Sequence, residues 1–210
     1  MKYKCVIFDF DGTLADTYPW VMSVINQVAD KYKFKRVEKN EQETLRGYDA
    51  GSLLQHLGVP LWKIPQIANH MRTLMTQNIY RISLFDGVSD LLQRLSENGA
   101  VLAVVSSNSY DNVRHVLGQK NVDWIDYYEC GVSIFGKPAK LKKIMRKSGI
   151  PNSESIYIGD EIRDMEAAKN AKIDFGGVSW GYNNVEALKA HASGVVFSDI
   201  NEIIEKLGYK

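Results

Sequence analysis

The stretch KCVIFDFDGTLADT, Lys4 to Thr17, constrains the fold of this chain more than any other. From Tyr3 to Phe8 the residues are mostly apolar or β-branched, which suits a strand covered on both faces, as in a parallel sheet. Such a strand does not usually run into paired carboxylates, yet Asp9 and Asp11 follow at once and Gly12-Thr13 break the extension. In sheets of this kind ligands sit outside the carboxyl ends of the strands. The two acids therefore mark the edge at which to look for chemistry.

The rest of the chain builds the sheet around that strand. Residues 18–80 read as helix after helix: Val21, Val24, Ile25 and Val28 recur at helical spacing, as do Ile67, Met71, Leu74 and Met75. Trp62 is assigned with Met71, Leu74 and Met75 to the core of this helical segment. After Asp86 a helix carrying Val88, Leu91, Leu92 and Leu95 ends at Asn98-Gly99, and AVLAVVSSN follows as a second buried strand. Helices are then expected at 110–119, 138–148, 161–170, 184–190 and 200–207, with strands near 128–133, 155–159, 173–178 and 194–197. This alternation predicts an α/β fold: a doubly wound parallel-sheet core over residues 1–15 and 83–210, with a small all-helical cap at 16–82 inserted after strand 1.

Charge argues against large anionic partners. With 26 Lys+Arg against 25 Asp+Glu the net charge is +1, which favours neither nucleic acid nor an acidic membrane surface. The basic run KYKFKR is short and flanked by acids, the pattern of a solvated face. Cys5 and Cys130 lack metal-type spacing and are read as reduced core thiols, and no window is apolar enough for a membrane span. A cytoplasmic protein acting on a small molecule is the expectation. The four histidines share no spacing and are read as half-buried or solvated.

Polar residues recur where the strands end. Strand 1 ends in Asp9 and Asp11, strand 2 in Ser106, Ser107 and Asn108, and the strand at 155–159 in GDEIRD, with Asp160 and Asp164; Lys137 lies in the loop FGKP. Residues i and i+2 of an extended segment point the same way, so Asp9 and Asp11 can share a pocket while Phe10 turns into the packing. Gly12 and Thr13 allow a sharp turn and are expected to offer free N–H groups to an anion. Crowded carboxylates repel unless a hard divalent cation lies among them, and Asp9, Asp11, Asp160 and Asp164 supply the oxygen ligands that Mg2+ prefers. Lys137 and Ser106 would hold the oxygens of a phosphoryl group. Asp9 is then read as the nucleophile forming an aspartyl phosphate, and Asp11 as general acid and base.

The run DFDGTLADT, the serine ending strand 2, Lys137 and GDEIRDMEAA together resemble the haloacid dehalogenase superfamily, in particular its phosphoglycolate-phosphatase-like hydrolases. The resemblance covers nearly the whole chain. It implies the nucleophile at Asp9, the acid/base at Asp11, the phosphate-binding hydroxyl at Ser106, the lysine at Lys137 and the metal carboxylate at Asp160. It also implies metal contact from the Asp11 backbone carbonyl, and a direct or water-mediated one from Asp164. Two departures stand out. Ser106-Ser107-Asn108 replaces the common Thr-Asn, leaving open which serine binds phosphate, and KPAK replaces Lys-Pro-x-Pro. In the cap, Tyr18, Trp20 and Arg46-Gly47-Tyr48 are expected near the leaving group, with Arg46 placed to pair with a carboxylate or second phosphate.

Other readings are open to the same residues. GDEIRD alone reads as an Asp N-cap with Asp164 on an exposed helix face. GVSIFGKP nearly matches a nucleotide-binding P-loop, but Pro138 lacks the hydroxyl that would hold Mg2+. A β-phosphoglucomutase-like phosphotransferase shares every motif above; the segment VSWGYNNVEAL, more phosphatase-like, tips the reading to the hydrolase. A regulatory protein that binds Mg2+ and phosphate without turnover is the third alternative. Oligomeric state is not readable.

Overall fold

The computed structural model describes residues 2–131, 136–191 and 194–209. The stretch 132–135, which holds half of the P-loop-like match and the end of the strand expected near 128–133, lies outside them. Strand β1 (Cys5–Phe8) is followed by α1 (Tyr18–Tyr32), α2 (Gln42–Leu45), α3 (Ala50–His56), α4 (Ile64–Gln77) and α5 (Val88–Glu97). From there strands and helices alternate: β2 (Val101–Val105), α6 (Tyr110–Val122), β3 (Tyr127–Glu129), α7 (Lys137–Ser148), β4 (Ser155–Gly159), α8 (Ile162–Ala171), β5 (Asp174–Val178), α9 (Val185–His191), β6 (Val195–Phe197) and α10 (Asn201–Leu207). The six strands form one sheet in the order β3-β2-β1-β4-β5-β6, every pairing parallel.

Position in the sheet explains the composition of β1. It lies between β2 and β4, with Ile7 level with Ala103 on one side and Tyr157 on the other. Successive side chains leave on opposite faces, and both faces are covered. Val6, Phe8, Leu102, Val104, Ile156 and Ile158 join one core with Leu91, Leu92 and Leu95 of α5 and Ile203, Ile204 and Leu207 of α10. Cys5, Ile7, Ala103, Val105 and Tyr157 join another with Leu141 and Ile144 of α7 and Ala167 and Ala168 of α8. Strand order reverses direction at β1/β4, the switch point where a ligand crevice opens.

Of the helices between β1 and β2, α5 packs on a face of the sheet, while α4 reaches the carboxyl edge, where Arg72 donates to the Ser107 carbonyl. The periodic residues of α1 divide their labour: Val24 and Val28 are buried, whereas Val21 and Ile25 are half-buried. Asp49 caps α3, its carboxylate accepting from the N–H groups of Gly51 (2.8 Å) and Ser52 (3.0 Å). One packing expectation is overturned. Trp62 is 70% exposed, because it sits in the 3₁₀ turn Leu61–Lys63 ahead of α4, where helical spacing does not apply, and the Lys63 ammonium lies over its ring. α6 runs past the expected end at 119, with a break at Gly118 (φ 72°) that only a residue without Cβ adopts cheaply. Among the described residues no helix is long and apolar enough to cross a membrane.

Candidate active site

The end of β1 is held in the sheet by one further bond, Asp9 N–H to the Ile158 carbonyl (2.8 Å). The chain then turns tightly: the Phe10 carbonyl accepts from Leu14 and Ala15 (both 2.9 Å), with Gly12 at φ 79°. Phe10 is fully buried, as its alternation with the acids requires. The amides of this turn are engaged, contrary to the expectation of free N–H groups: Gly12 donates to Ala15 (2.9 Å) and Thr13 to Phe10 (3.3 Å). Gly12 acts by what it lacks, since a Cβ there would collide with Asp160 and Tyr182. The Thr13 hydroxyl donates to Asp160 Oδ1 (2.7 Å).

Three segments meet around Asp9. Its carboxylate is 3% exposed and 2.8 Å from the ammonium of Lys137, which is itself 2% exposed at the start of α7. The same ammonium reaches Asp164 Oδ1 (2.5 Å). Asp164 does two jobs: its other oxygen accepts from the Glu161 N–H (3.2 Å), capping α8, and Oδ1 also accepts from the Tyr157 hydroxyl (3.2 Å). It is fully buried rather than on an exposed helix face, and the N-cap is Glu161 rather than Asp160. Asp160 accepts from Thr13 and from the Tyr182 N–H (2.7 Å). Oxygens of Asp9, Asp160 and Asp164 lie within 4.8 Å of one another.

Three buried carboxylates around one ammonium leave excess negative charge. Burial pushes the Asp9 carboxyl up to about 7, Lys137 opposing and Asp164 adding to the rise. Asp160 is driven well above the carboxylate range by burial and by Glu161, Asp9 and Asp164. The ammonium of Lys137, though burial disfavours its charge, is held above its ordinary value by Asp164 and Asp9. An all-oxygen set with unbalanced charge fits a hard divalent cation such as Mg2+, which favours carboxylate ligands.

Asp11 stands apart from this group. Its carboxylate is turned to the end of β2, accepting from the Asn108 amide (3.1 and 3.3 Å) and the Ser106 hydroxyl (3.4 Å). Burial raises its pKa, with the Asn108 amide opposing. Asp9 and Asp11 thus leave the same turn for different surroundings. Ser106 is fully buried and its oxygen accepts from Asn108 N–H (2.9 Å). Ser107 is half-buried, and its carbonyl accepts from Arg72 Nε of α4 (2.8 Å).

Of the cap residues named from the sequence, Trp20 lines a cavity together with Asp11, while Tyr18 and Arg46 turn toward Gly181 and Tyr182. Arg46 donates to the carbonyls of Tyr182 (3.2 Å) and Gly181 (2.8 Å) and pairs with Glu43, so its guanidinium ties cap to core. Tyr18 packs edge-on against Tyr182 at 5.3 Å. Sequence reasoning missed the segment Trp180–Asn183. Trp180 Nε1 donates to Thr13 (3.1 Å), and the Asn183 amide joins Ile162 of α8 to Arg46 and Tyr48 of the cap. A Cβ at Gly181 would overlap Asp160, and one at Gly159 would overlap Asp164. The strand-end rule that found the other segments, applied to β5, would have pointed to Ser179–Asn184. Arg163, paired with Glu161, was also missed.

A doubly wound core with acids, a serine and a lysine gathered at its carboxyl edge is the arrangement of an α/β protein that binds its ligand at the topological switch point. The chain belongs to the haloacid dehalogenase-like hydrolases, whose family model matches residues 6–178. It is 28% identical over 188 residues to a phosphoglycolate phosphatase of Synechococcus elongatus, covering 89% of each chain. A phosphoglycolate phosphatase of Pseudomonas fluorescens is 25% identical, with 96% of this chain and 78% of the relative covered. Among solved structures, a haloacid dehalogenase-like hydrolase from Streptococcus pneumoniae superimposes with a TM-score of 0.77 at 16% identity, covering 97% of this chain and 98% of the other. CbbY from Rhodobacter sphaeroides in complex with phosphate gives 0.70 at 21% identity, covering 97% and 96%. At these identities the structural matches speak to fold.

Proposed function

We propose that this protein is a Mg2+-dependent phosphatase that hydrolyses a small phosphomonoester through an aspartyl phosphate on Asp9. The separation of the two acids carries the reading. Asp9 lies with Asp160, Asp164 and Lys137, as a nucleophile that must approach an anion requires, while Asp11 faces Ser106 and Asn108 with a raised pKa. Asp9, Asp160 and Asp164, with the Asp11 backbone carbonyl, would hold the cation, which neutralises charge on the phosphoryl group.

In the first step an Asp9 oxygen attacks phosphorus, the P–O bond to the alcohol breaks, and Asp11 gives its proton to the departing oxygen. In the second, Asp11 takes a proton from water as the water oxygen attacks phosphorus, and the P–O bond to Asp9 breaks to release phosphate. Lys137 steadies Asp9 and the phosphoryl oxygens, and the Ser106 hydroxyl, directed to the Asp11 side, donates to them. Ser106 rather than Ser107 suits that role, since the Ser106 hydroxyl lies 3.4 Å from the Asp11 carboxylate. The relatives named above make phosphoglycolate the first compound to try.

Phosphate release from phosphomonoesters with and without Mg2+ is the test, with sugar-phosphate isomerisation measured alongside. Asp9→Asn should remove turnover while the fold persists. Asp11→Asn should lose at least tenfold less rate on an ester whose leaving group departs without a proton than on an alkyl ester. Appreciable turnover by Asp9→Asn, or equal Asp11→Asn losses on both esters, refutes the assignment.

A further inference from the structure

A cavity of about 320 Å³ opens from Asp11, Ser107 and Asn108 into the cap. Its cap wall is made by Val21 and Ile25 of α1, Leu53 and Leu54 of α3, and Met71 of α4, all half-buried although they face the interior of the protein. A second cavity of about 250 Å³ shares Val21, Ile25, Leu53 and Leu54 and continues the apolar space toward Met22 and Leu45.

The charged groups on these walls each have a partner within the protein. Arg72 donates Nε–H to the Ser107 carbonyl, Arg163 pairs with Glu161, Arg46 donates to two backbone carbonyls, and the Tyr182 hydroxyl meets Thr17 Oγ1 at 2.9 Å. A leaving group rich in hydroxyls, or a short one carrying a carboxylate, would give up water here for a lining whose larger part is apolar. An apolar cavity of this size is one that water fills poorly and a hydrocarbon fills well.

We infer that this chamber receives the organic part of the phosphomonoester, and that this part is an apolar alkyl or aromatic group. The inference rests on the phosphatase reading above. Continuity with Asp11 decides the occupant: the acid that protonates the departing oxygen stands at the mouth, so the carbon skeleton bonded to that oxygen extends inward, past Met71 and between Ile25 and Leu54. Each methylene it buries is removed from water at both the ligand and the wall.

Linear alkyl phosphates test this, because lengthening the chain adds apolar surface while the basicity of the leaving alcohol stays nearly constant. From ethyl to pentyl phosphate, kcat/KM should rise about fourfold per methylene and level off once the chamber is full. Pentyl phosphate should also exceed 2-phosphoglycolate. Leu54→Asn should cut the pentyl-over-ethyl ratio at least fivefold, and Leu54→Met should retain it. A flat or falling chain-length series, or a preference for 2-phosphoglycolate, overturns the inference and leaves the phosphatase reading standing. Acetyl phosphate is the control: phosphate release from none of acetyl phosphate, 2-phosphoglycolate and the alkyl esters overturns both.

Discussion

Replacing Lys137 with Met tests the electrostatics of the site apart from catalysis. The ammonium is 2% exposed, between Asp9 at 2.8 Å and Asp164 at 2.5 Å. Methionine fills nearly the same volume, so packing changes little while the charge disappears. Removing one partner of a buried ion pair costs about 3–5 kcal/mol, because the other is left uncompensated. For a chain of this size that is a fall in Tm of about 6–20 °C. The loss should be greatest near pH 8 and shrink toward pH 5, where Asp9, lifted to about 7 by burial even beside Lys137, protonates. Mg2+ should repair it: a cation at 100 times its Kd adds about 2.7 kcal/mol, and Lys137→Met should be stabilised by Mg2+ more than the parent. Thermal unfolding of both proteins at the two pH values, in chelator and in Mg2+, measures all of this. A Tm deficit that ignores both pH and cation would show that Lys137 acts by packing alone, and the reasoning would fail.

Three further outcomes follow from the same structure. In chelator the protein should lose stability as pH rises from about 4 to 7, since burial lifts Asp9 to about 7 and the folded state there holds a proton that the unfolded chain has released; Tm against pH checks the sign, and Mg2+ should flatten or reverse the slope. Gly181→Ala places a methyl group in overlap with Asp160 Cβ, so the chain itself must give; a shift of about 1 Å in that carboxylate should cost on the order of 100-fold in kcat/KM, with a fall in Tm of about 2–12 °C; undiminished turnover would remove Asp160 from the site. Glu129, 4% exposed, would be raised by burial, but Lys143, Lys140 and Lys147 of α7 hold it at about 2, so its contribution is present above about pH 4.5 and lost toward pH 2. Allowing for the exposure of those lysines, Glu129→Gln should cost about 1–2 kcal/mol near neutrality and almost nothing at about pH 2, read by denaturant unfolding.

The sheet was legible because β1, β2 and β4 are buried on both faces and so are written as unbroken apolar runs, whereas half-covered strands would have alternated. Asp9 and Asp160 were legible because they end such runs, and Lys137 was expected at the same edge; the direct pairing of its ammonium with Asp9 and Asp164 was not, since nothing in FGKP says where the first turn of α7 lies. Close approach is similarly silent: Gly159 and Gly181 are ordinary glycines in the sequence, and only the carboxylates beside them show why a Cβ is excluded. Trp62 failed because aromatic character was taken for burial in a turn that has no inner face. Arg46 was placed by its charge, which does not distinguish a backbone carbonyl from a ligand.

The central place of β1 has a consequence for biosynthesis. It is made before the other five strands, but Cys5 pairs with Val101 on one side and Ser155 on the other. At about 5–20 residues per second, a ribosome takes on the order of 10–30 s to supply the second neighbour. Throughout that interval an apolar strand waits with at least one open edge, a target for chaperones or for another nascent copy.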